Sequence, residues 1–170
     1  MPEAEQTHAE RTDTRPTHQA VSRVEAALRE RGALGRPRWL DDAATTAAQA
    51  AAALGVEVGA IANSLVFTLD GAPVLVMTSG AHRVDTAWLG GQLHGKLARA
   101  SAEVVREATG QVIGGVSPVG HPQQLRTLVD VALADYPEIW AAAGHAHAVF
   151  PTTYDELVRI TAGTPCAVAR

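Results

Sequence analysis

Residues 114–121 read GGVSPVGH, and three glycines and two prolines fall within Gly114–Pro122. No helix or strand tolerates that density of breakers. Adjacent glycines let main-chain N–H and C=O groups approach a ligand with no Cβ between. Pro118 stiffens the segment and Ser117 adds a hydroxyl. Such a loop can hold an oxyanion or clamp an ester through backbone groups. The alternative is a sharp connection between strands. The loop carries no Gly-Lys-Ser/Thr of a Walker motif, and no G-x-G opens it as a dinucleotide fingerprint requires.

Asn63 is the second candidate. In the apolar run Ile61–Leu69, alternation puts Ile61, Asn63, Leu65, Phe67 and Leu69 on one face. That face is otherwise large and apolar, so it points inward. A buried amide needs hydrogen-bond partners. Asn63 therefore either bonds local backbone near the strand start or lines a cleft.

Asp130 closes the apolar pair Leu128-Val129 and reads either as an N-cap or as a carboxylate at a cleft mouth. The histidines at 82, 94, 121, 145 and 147 lack an HExxH pattern and a cysteine pair, so no metal site is expected. His8 and His18 read as solvated. Cys166 has no neighbouring histidine and is not expected to be a nucleophile. With a single cysteine the chain cannot form an internal disulfide.

The elements that must position these residues follow from periodicity and punctuation. Val21, Val24, Ala27 and Leu28 recur at helical spacing before Gly32. Pro37–Leu40 is extended. Thr45 or Thr46 caps a helix that runs to Leu54 and stops at Gly55. Ile61–Leu69 and Val74–Thr78 form a hairpin about Asp70-Gly71. Helices are expected over Asp85–Leu93, and from an N-cap at Ser101 to Ala108. Gln111–Ile113 reads as extended. Strands are expected at Leu125–Val129, Ile139–Ala142 and Ala146–Phe150, the last two separated by Gly144-His145. Thr153–Glu156 is a capping box for a final helix to Ile160. These elements predict one mixed α/β (α+β) domain with a curled mixed or antiparallel sheet flanked by helices. Residues 1–19 read as a polar disordered tail, 20–162 as the domain, and 163–170 as a short frayed C-terminal tail.

The formal net charge of -4 and the absence of a basic run argue against a protein that coats nucleic acid. Contact with the end of an RNA, through a few phosphates, stays open. No secretory signal is read at the N-terminus, and Ala43–Leu54 is too short and too polar to span a bilayer. A cytoplasmic location is expected.

Several blocks now stand in order: Thr45 with Ala47-Ala48, Leu54-Gly55-Val56, IANSLVF (61–67), PVLVMTSG (73–80) with Arg83-Val84-Asp85, and Ala100-Ser101. Thr109-Gly110, IGGVSPVGH (113–121), Leu128-Val129-Asp130 and IWAAAG (139–144) follow. This ordered set resembles the YbaK-type aminoacyl-tRNA deacylases, which also occur as the editing insertion of bacterial prolyl-tRNA synthetase. The resemblance implies a curled sheet flanked by helices and hydrolysis, in trans, of the ester that joins a wrong amino acid to the tRNA 3′ end.

Editing of this kind has a physical origin, since one methylene in an apolar pocket discriminates by only about 1–3 kcal/mol. The resemblance implies no metal and no organic cofactor. It implies catalytic roles for Asn63, Gly114, Gly115 and Ser117, and substrate-binding roles for Thr45, Val116, Pro118, His121, Asp130 and Gly144. The implied partners are the 3′ end of a mischarged tRNA and an aminoacyl-tRNA synthetase that assists its capture; neither a membrane nor DNA is expected. The family usually carries lysine where this chain has Asn63. That departure keeps a second reading open, a binding module of the same fold with weakened catalysis. Hydrolysis of a small ester in the same cleft is a third.

Overall fold

The computed structural model describes residues 19–170. The tail reading of residues 1–19, with His8 and His18, lies outside the described residues except for Gln19, which opens the first helix. That helix, α1 (Gln19–Glu30), buries Val21, Val24, Ala27 and Leu28 on one stripe. Strand β1 (Arg38–Trp39) precedes α2 (Ala47–Leu54). Thr46, not Thr45, caps α2 by accepting from Gln49 N, and Gly55 ends it in the left-handed conformation.

Strands β2 (Ile61–Leu69) and β3 (Ala72–Ser79) form the central hairpin. Asp70 and Gly71 both take positive φ, as the tight turn that matches strand twist requires. Next come α3 (Thr86–Gln92), capped by Asp85, and β4 (Leu97–Arg99). Helix α4 (Ala102–Thr109) is capped by Ser101. Then follow β5 (Arg126–Asp130), β6 (Ile139–His145), β7 (Ala148–Thr152), α5 (Tyr154–Thr161) and β8 (Thr164–Cys166).

The strands make one mixed sheet in the order β1-β7-β6-β2-β3-β5-β8, with β4 added to β2 off this path. The β2–β6, β3–β5 and β5–β8 ladders are parallel. One face of the sheet is covered by α1 and α5, whose Val24, Leu28 and Leu157 pack with Leu75, Met77 and Phe150. The other face carries two separate apolar clusters. One joins Phe67, Val76, Leu89 and Leu97, and the other joins Ala50, Ala51, Ile61 and Trp140. Asn63 sits on that face between Ile61 of one cluster and Leu65 and Phe67 of the other.

Three expectations are corrected. The C-terminal segment is not frayed: Thr164–Cys166 pairs with Leu128–Asp130, and Val168 is buried. Pro165 does not prevent this, because β8 is an edge strand that can lack a donor. The break between β6 and β7 falls at Ala146-His147, and β6 continues through Gly144 to His145. Gly144 takes φ +99 at an irregularity in the ladder, where its backbone lies against Ala20 and Val24. Gln111–Ile113 forms no strand but leads into a turn in which Gly115 N donates to Val112 O.

Candidate active site

Strand β2 uses one edge twice. It pairs with β6 at Ile61-Ala62 and with β4 at Phe67–Leu69. Between these ladders the sheet opens. Ile61 O accepts from Gly80 N across the hairpin, so odd-numbered residues of β2 spend their backbone groups on β3. Even-numbered residues turn theirs to the opposite edge, where Val66 O accepts from Ala100 N. Ser64 therefore presents its main-chain groups toward the opening. A cleft of about 700 Å³ occupies it. That volume is within the usual range for a small-molecule site.

Four of the residues singled out from the sequence line this cleft together: Thr45, Asn63, Gly114 and Val116. Asn63 stands opposite Thr78 in the β2–β3 ladder, and Thr78 lines the cleft as well. Gly114 adopts φ +95, and a Cβ there would stand 3.4 Å from Thr45 Cγ2. Thr45 is held in turn by Gln49, whose Oε1 accepts from Thr45 N at 2.9 Å and Oγ1 at 3.1 Å. Arg83 and Arg99 bring positive charge to the lining.

The rest of the glycine-rich loop turns away from the cleft. Gly115 lies against the His145 backbone, and Ser117 is fully buried. Ser117 Oγ accepts from Val119 N at 3.3 Å, so this hydroxyl is engaged within the loop rather than offered to the cleft. Ser117 N donates to Gln111 Oε1 at 2.6 Å, and Gln111 Nε2 donates to Val119 O at 3.4 Å. Gln111 is 3% exposed and acts as the loop's internal brace. Pro118 and His121 border a separate small indentation near Arg31. Gly144 packs on α1 rather than lining the cleft.

His121 Nε2 lies 2.7 Å from Ser117 O. Its pKa is pushed below the ordinary value of 6.5, chiefly by desolvation; the bond to the Ser117 carbonyl opposes this and the Arg31 charge adds to it. The unfolded chain thus binds more protons at this site, so stability rises with pH and is lost as pH falls through the ordinary histidine range toward the folded value. We expect the wild type to lose more Tm between about pH 7.5 and about pH 5.5 than His121→Gln, which keeps a donor for Ser117 O but does not titrate. Thermal melts across that range check this, and parallel slopes for the two proteins would contradict it.

Asp130 is 1% exposed, so of the two roles weighed for it the structure gives the N-cap and not a carboxylate at the cleft mouth. Oδ1 accepts from Ala132 N at 3.0 Å, capping the 3-10 turn Val131–Asp135. Oδ2 accepts from Ser79 N at 3.0 Å and from Thr78 Oγ1 at 3.3 Å, and lies 3.0 Å from His82 Nδ1. The carboxylate is thus behind the cleft wall, with Thr78 and His82 in front of it. Burial and the nearby Asp130 charge push the Cys166 thiol up, which keeps it protonated. The His145 and His147 rings are 5.4 Å apart beside Trp39, and His145 is pushed down by desolvation and by His147. Among the described residues no group of three or more His, Cys, Asp or Glu is gathered as a metal site.

Sequence reasoning missed Thr78, Arg99, Gln111 and Trp140, and weighed His82 only as a metal ligand. Trp140 lines the cleft and is 9% exposed, and its Nε1 is a buried donor without a partner. The register of the β2–β3 hairpin could have found Thr78, because it follows from the Asp70-Gly71 turn.

This architecture recurs in known proteins. A model of the aminoacyl-tRNA editing domain matches residues 41–160. YwhH, an uncharacterized protein of Bacillus subtilis, is 30% identical over 118 residues, 69% of this chain and 75% of that one. A proline–tRNA ligase of Bacillus licheniformis is 35% identical over 89 residues, which cover 52% of this chain but only 16% of the ligase. Among solved structures, one provisionally described as a trans-editing enzyme for prolyl tRNA synthetase superposes with a TM-score of 0.84 at 38% identity, covering 89% of this chain and 98% of that one. Another, the hypothetical protein APE2540, gives 0.80 at 28% identity over 86% and 98% of the two chains. With the family model spanning most of the sheet and the whole cleft wall, the chain belongs to the aminoacyl-tRNA editing domain family.

Proposed function

We propose that this protein hydrolyses, in trans, the ester between a wrongly attached amino acid and the 3′ end of a tRNA. The observation that carries the reading is the opening between β6 and β4, where β2, Gly114 and Val116 line one cleft. An ester carbonyl becomes an oxyanion on attack, and preorganised N–H donors stabilise it without reorganisation. In this reading Gly114 lends its backbone to the oxyanion, Val116 and Thr45 shape the wall, and Asn63 orients the substrate through its amide. Gly115, Ser117, Pro118, His121 and Gly144 act indirectly, by holding the loop and the β6 irregularity in place. Arg83 and Arg99 suit the last phosphates of an RNA end, which is a local contact consistent with a net charge of -4. An aminoacyl-tRNA synthetase would assist capture. The chemistry asks for no metal or organic cofactor. No helix among the described residues is long and apolar enough to cross a membrane.

Release of amino acid from mischarged tRNA, but not from small amino-acid esters that lack the tRNA end, is the expected result. Equal turnover of both would replace this reading with a general esterase. The neutral Asn63 favours one other reading, a module that binds the tRNA end without cleaving it. Asn63→Lys separates the two. The proposal expects a several-fold loss of deacylation, because a cation there enters the space facing Thr78, and a large gain would mark the chain as a decayed enzyme.

A further inference from the structure

We infer that His82, held by the buried Asp130, is the proton-transfer residue of this cleft. The inference rests on the proposed deacylation and adds to it a group that takes and returns the proton. His82 is fixed by more than one contact. Its N–H donates to Ser79 O at 2.9 Å, which closes the turn Ser79–His82. Ser79 Oγ donates to Gly59 O at 2.8 Å, tying that turn to the segment before β2. Gly80 is required at the turn, since a Cβ there would meet Val58 O at 2.4 Å.

The side chain is then set by its carboxylate. Nδ1 lies 3.0 Å from Asp130 Oδ2, while the ring lines the cleft and its side chain is 47% exposed. In the neutral ring, Nδ1 carries the proton and donates to the carboxylate, which leaves the Nε2 lone pair as the available base. Asp130 cannot rotate freely, because Ser79 N, Thr78 Oγ1 and Ala132 N also donate to it. Thr78 connects the pair to the substrate side, since it stands opposite Asn63 in the ladder. A neutral amide, a hydroxyl and an imidazole thus share one wall, with the carboxylate behind the last two. Among the described residues, the other charged groups lining the cleft are Arg83, next to His82 in the chain, and Arg99 on β4. Asp85 caps α3 through Trp88 N.

The step balances as ester hydrolysis. As the water oxygen attacks the ester carbonyl, Nε2 of His82 takes a proton from that water. The C–O bond to the ribose then breaks, and the imidazolium returns the proton to the leaving ribose oxygen. The products are free amino acid and tRNA with its hydroxyl restored. Asp130 is a positioning residue in this scheme, whereas His82 touches the reacting atoms.

The test uses the full chain and a panel of alanyl-, cysteinyl- and seryl-tRNAs in single-turnover assays, with the buffer rate subtracted at each pH. His82→Asn keeps an amide donor for Asp130 but has no titratable nitrogen. We expect it to lower the rate about 10²-fold or more, as loss of a general base does, with little change in KM. The wild-type rate should change with pH, and the His82→Asn rate should lack that change. Added imidazole should restore part of the rate of His82→Ala. If the wild type is active while His82→Asn stays within about threefold and keeps the same pH profile, the dyad is overturned and the deacylase reading stands. If the wild type releases no amino acid from any tRNA of the panel, the deacylase reading falls and the hydrolytic role of His82 falls with it.

Discussion

Gly115→Ala should abolish most activity while leaving a folded protein. A Cβ at this position would stand 2.8 Å from both the Cα and the carbonyl carbon of His145 and 2.9 Å from its N. These are backbone atoms, so no side-chain rotation relieves the contact, and either the loop or the β6–β7 turn must move. The turn is fixed from outside: Leu40 N donates to His147 O at 2.6 Å and Ala44 N to Ala146 O at 2.7 Å. The loop is therefore the part that shifts, carrying Gly114 and Val116 with it. Misplacing reacting groups by about 1 Å costs about 10²-fold in rate, and overpacking costs about 1–3 kcal/mol. For a domain of this size that stability loss lowers Tm by several degrees, about 2–4 °C per kcal/mol. Gly71→Ala provides the contrast. It sits at positive φ, unlike Gly115, and nothing lies within 4 Å of its Cβ position, at a hairpin tip away from the cleft. It should lose stability and keep its rate. Deacylation assays and melts of both variants check the pair, and equal rates for the two would contradict the loop's role.

The second large effect is expected at Asp130, and it is first an effect on the fold. Asp130→Ala removes the acceptor for Ser79 N, Thr78 Oγ1 and Ala132 N at once, in a site only 1% exposed. Buried donors left without an acceptor cost about 1–3 kcal/mol each, and the groups relax only in part. A total near 3–5 kcal/mol is expected, the range for breaking a buried charged network from one side. The midpoint of denaturant unfolding should fall accordingly, with the slope unchanged. Asp130→Asn should cost less than alanine but more than a surface change. Its amide keeps one acceptor oxygen, yet its NH2 must face an N–H or O–H donor. An Asp130→Ala protein as stable as wild type would show that these hydrogen bonds carry no net stabilisation.

Legibility in the sequence follows how local each cause is. The β2–β3 hairpin was readable because Asp70-Gly71 encodes its own turn, and α2, α4 and α5 because their caps lie within a few residues of the first turn. Asn63 was visible through alternation, as the polar member of an apolar face, and Gly114 and Val116 through the glycine-rich texture. The corrected elements depend on distant partners instead. Thr164-Pro165-Cys166 has no strand pattern of its own and is ordered by the free edge of β5. Leu97–Arg99 is too short to show alternation, so Arg99 could not be assigned to the cleft before β4 was seen. Ser117 read as a hydroxyl offered by the loop, whereas its Oγ accepts from Val119 N and its own N donates to the buried Gln111, contacts that depend on how the loop closes. Likewise, His82 has meaning only once Asp130, far along the chain, lies behind it.

Under the proposed function, the cleft between β6 and β4 cleaves an aminoacyl ester on tRNA. The most direct measurement mixes excess purified protein with labelled alanyl-, cysteinyl- and seryl-tRNA and follows free amino acid over time. Release from at least one of them is expected in a single exponential well above the buffer rate, with its loss in Gly115→Ala. Release indistinguishable from buffer for every tRNA, at the highest protein concentration attainable, would contradict it.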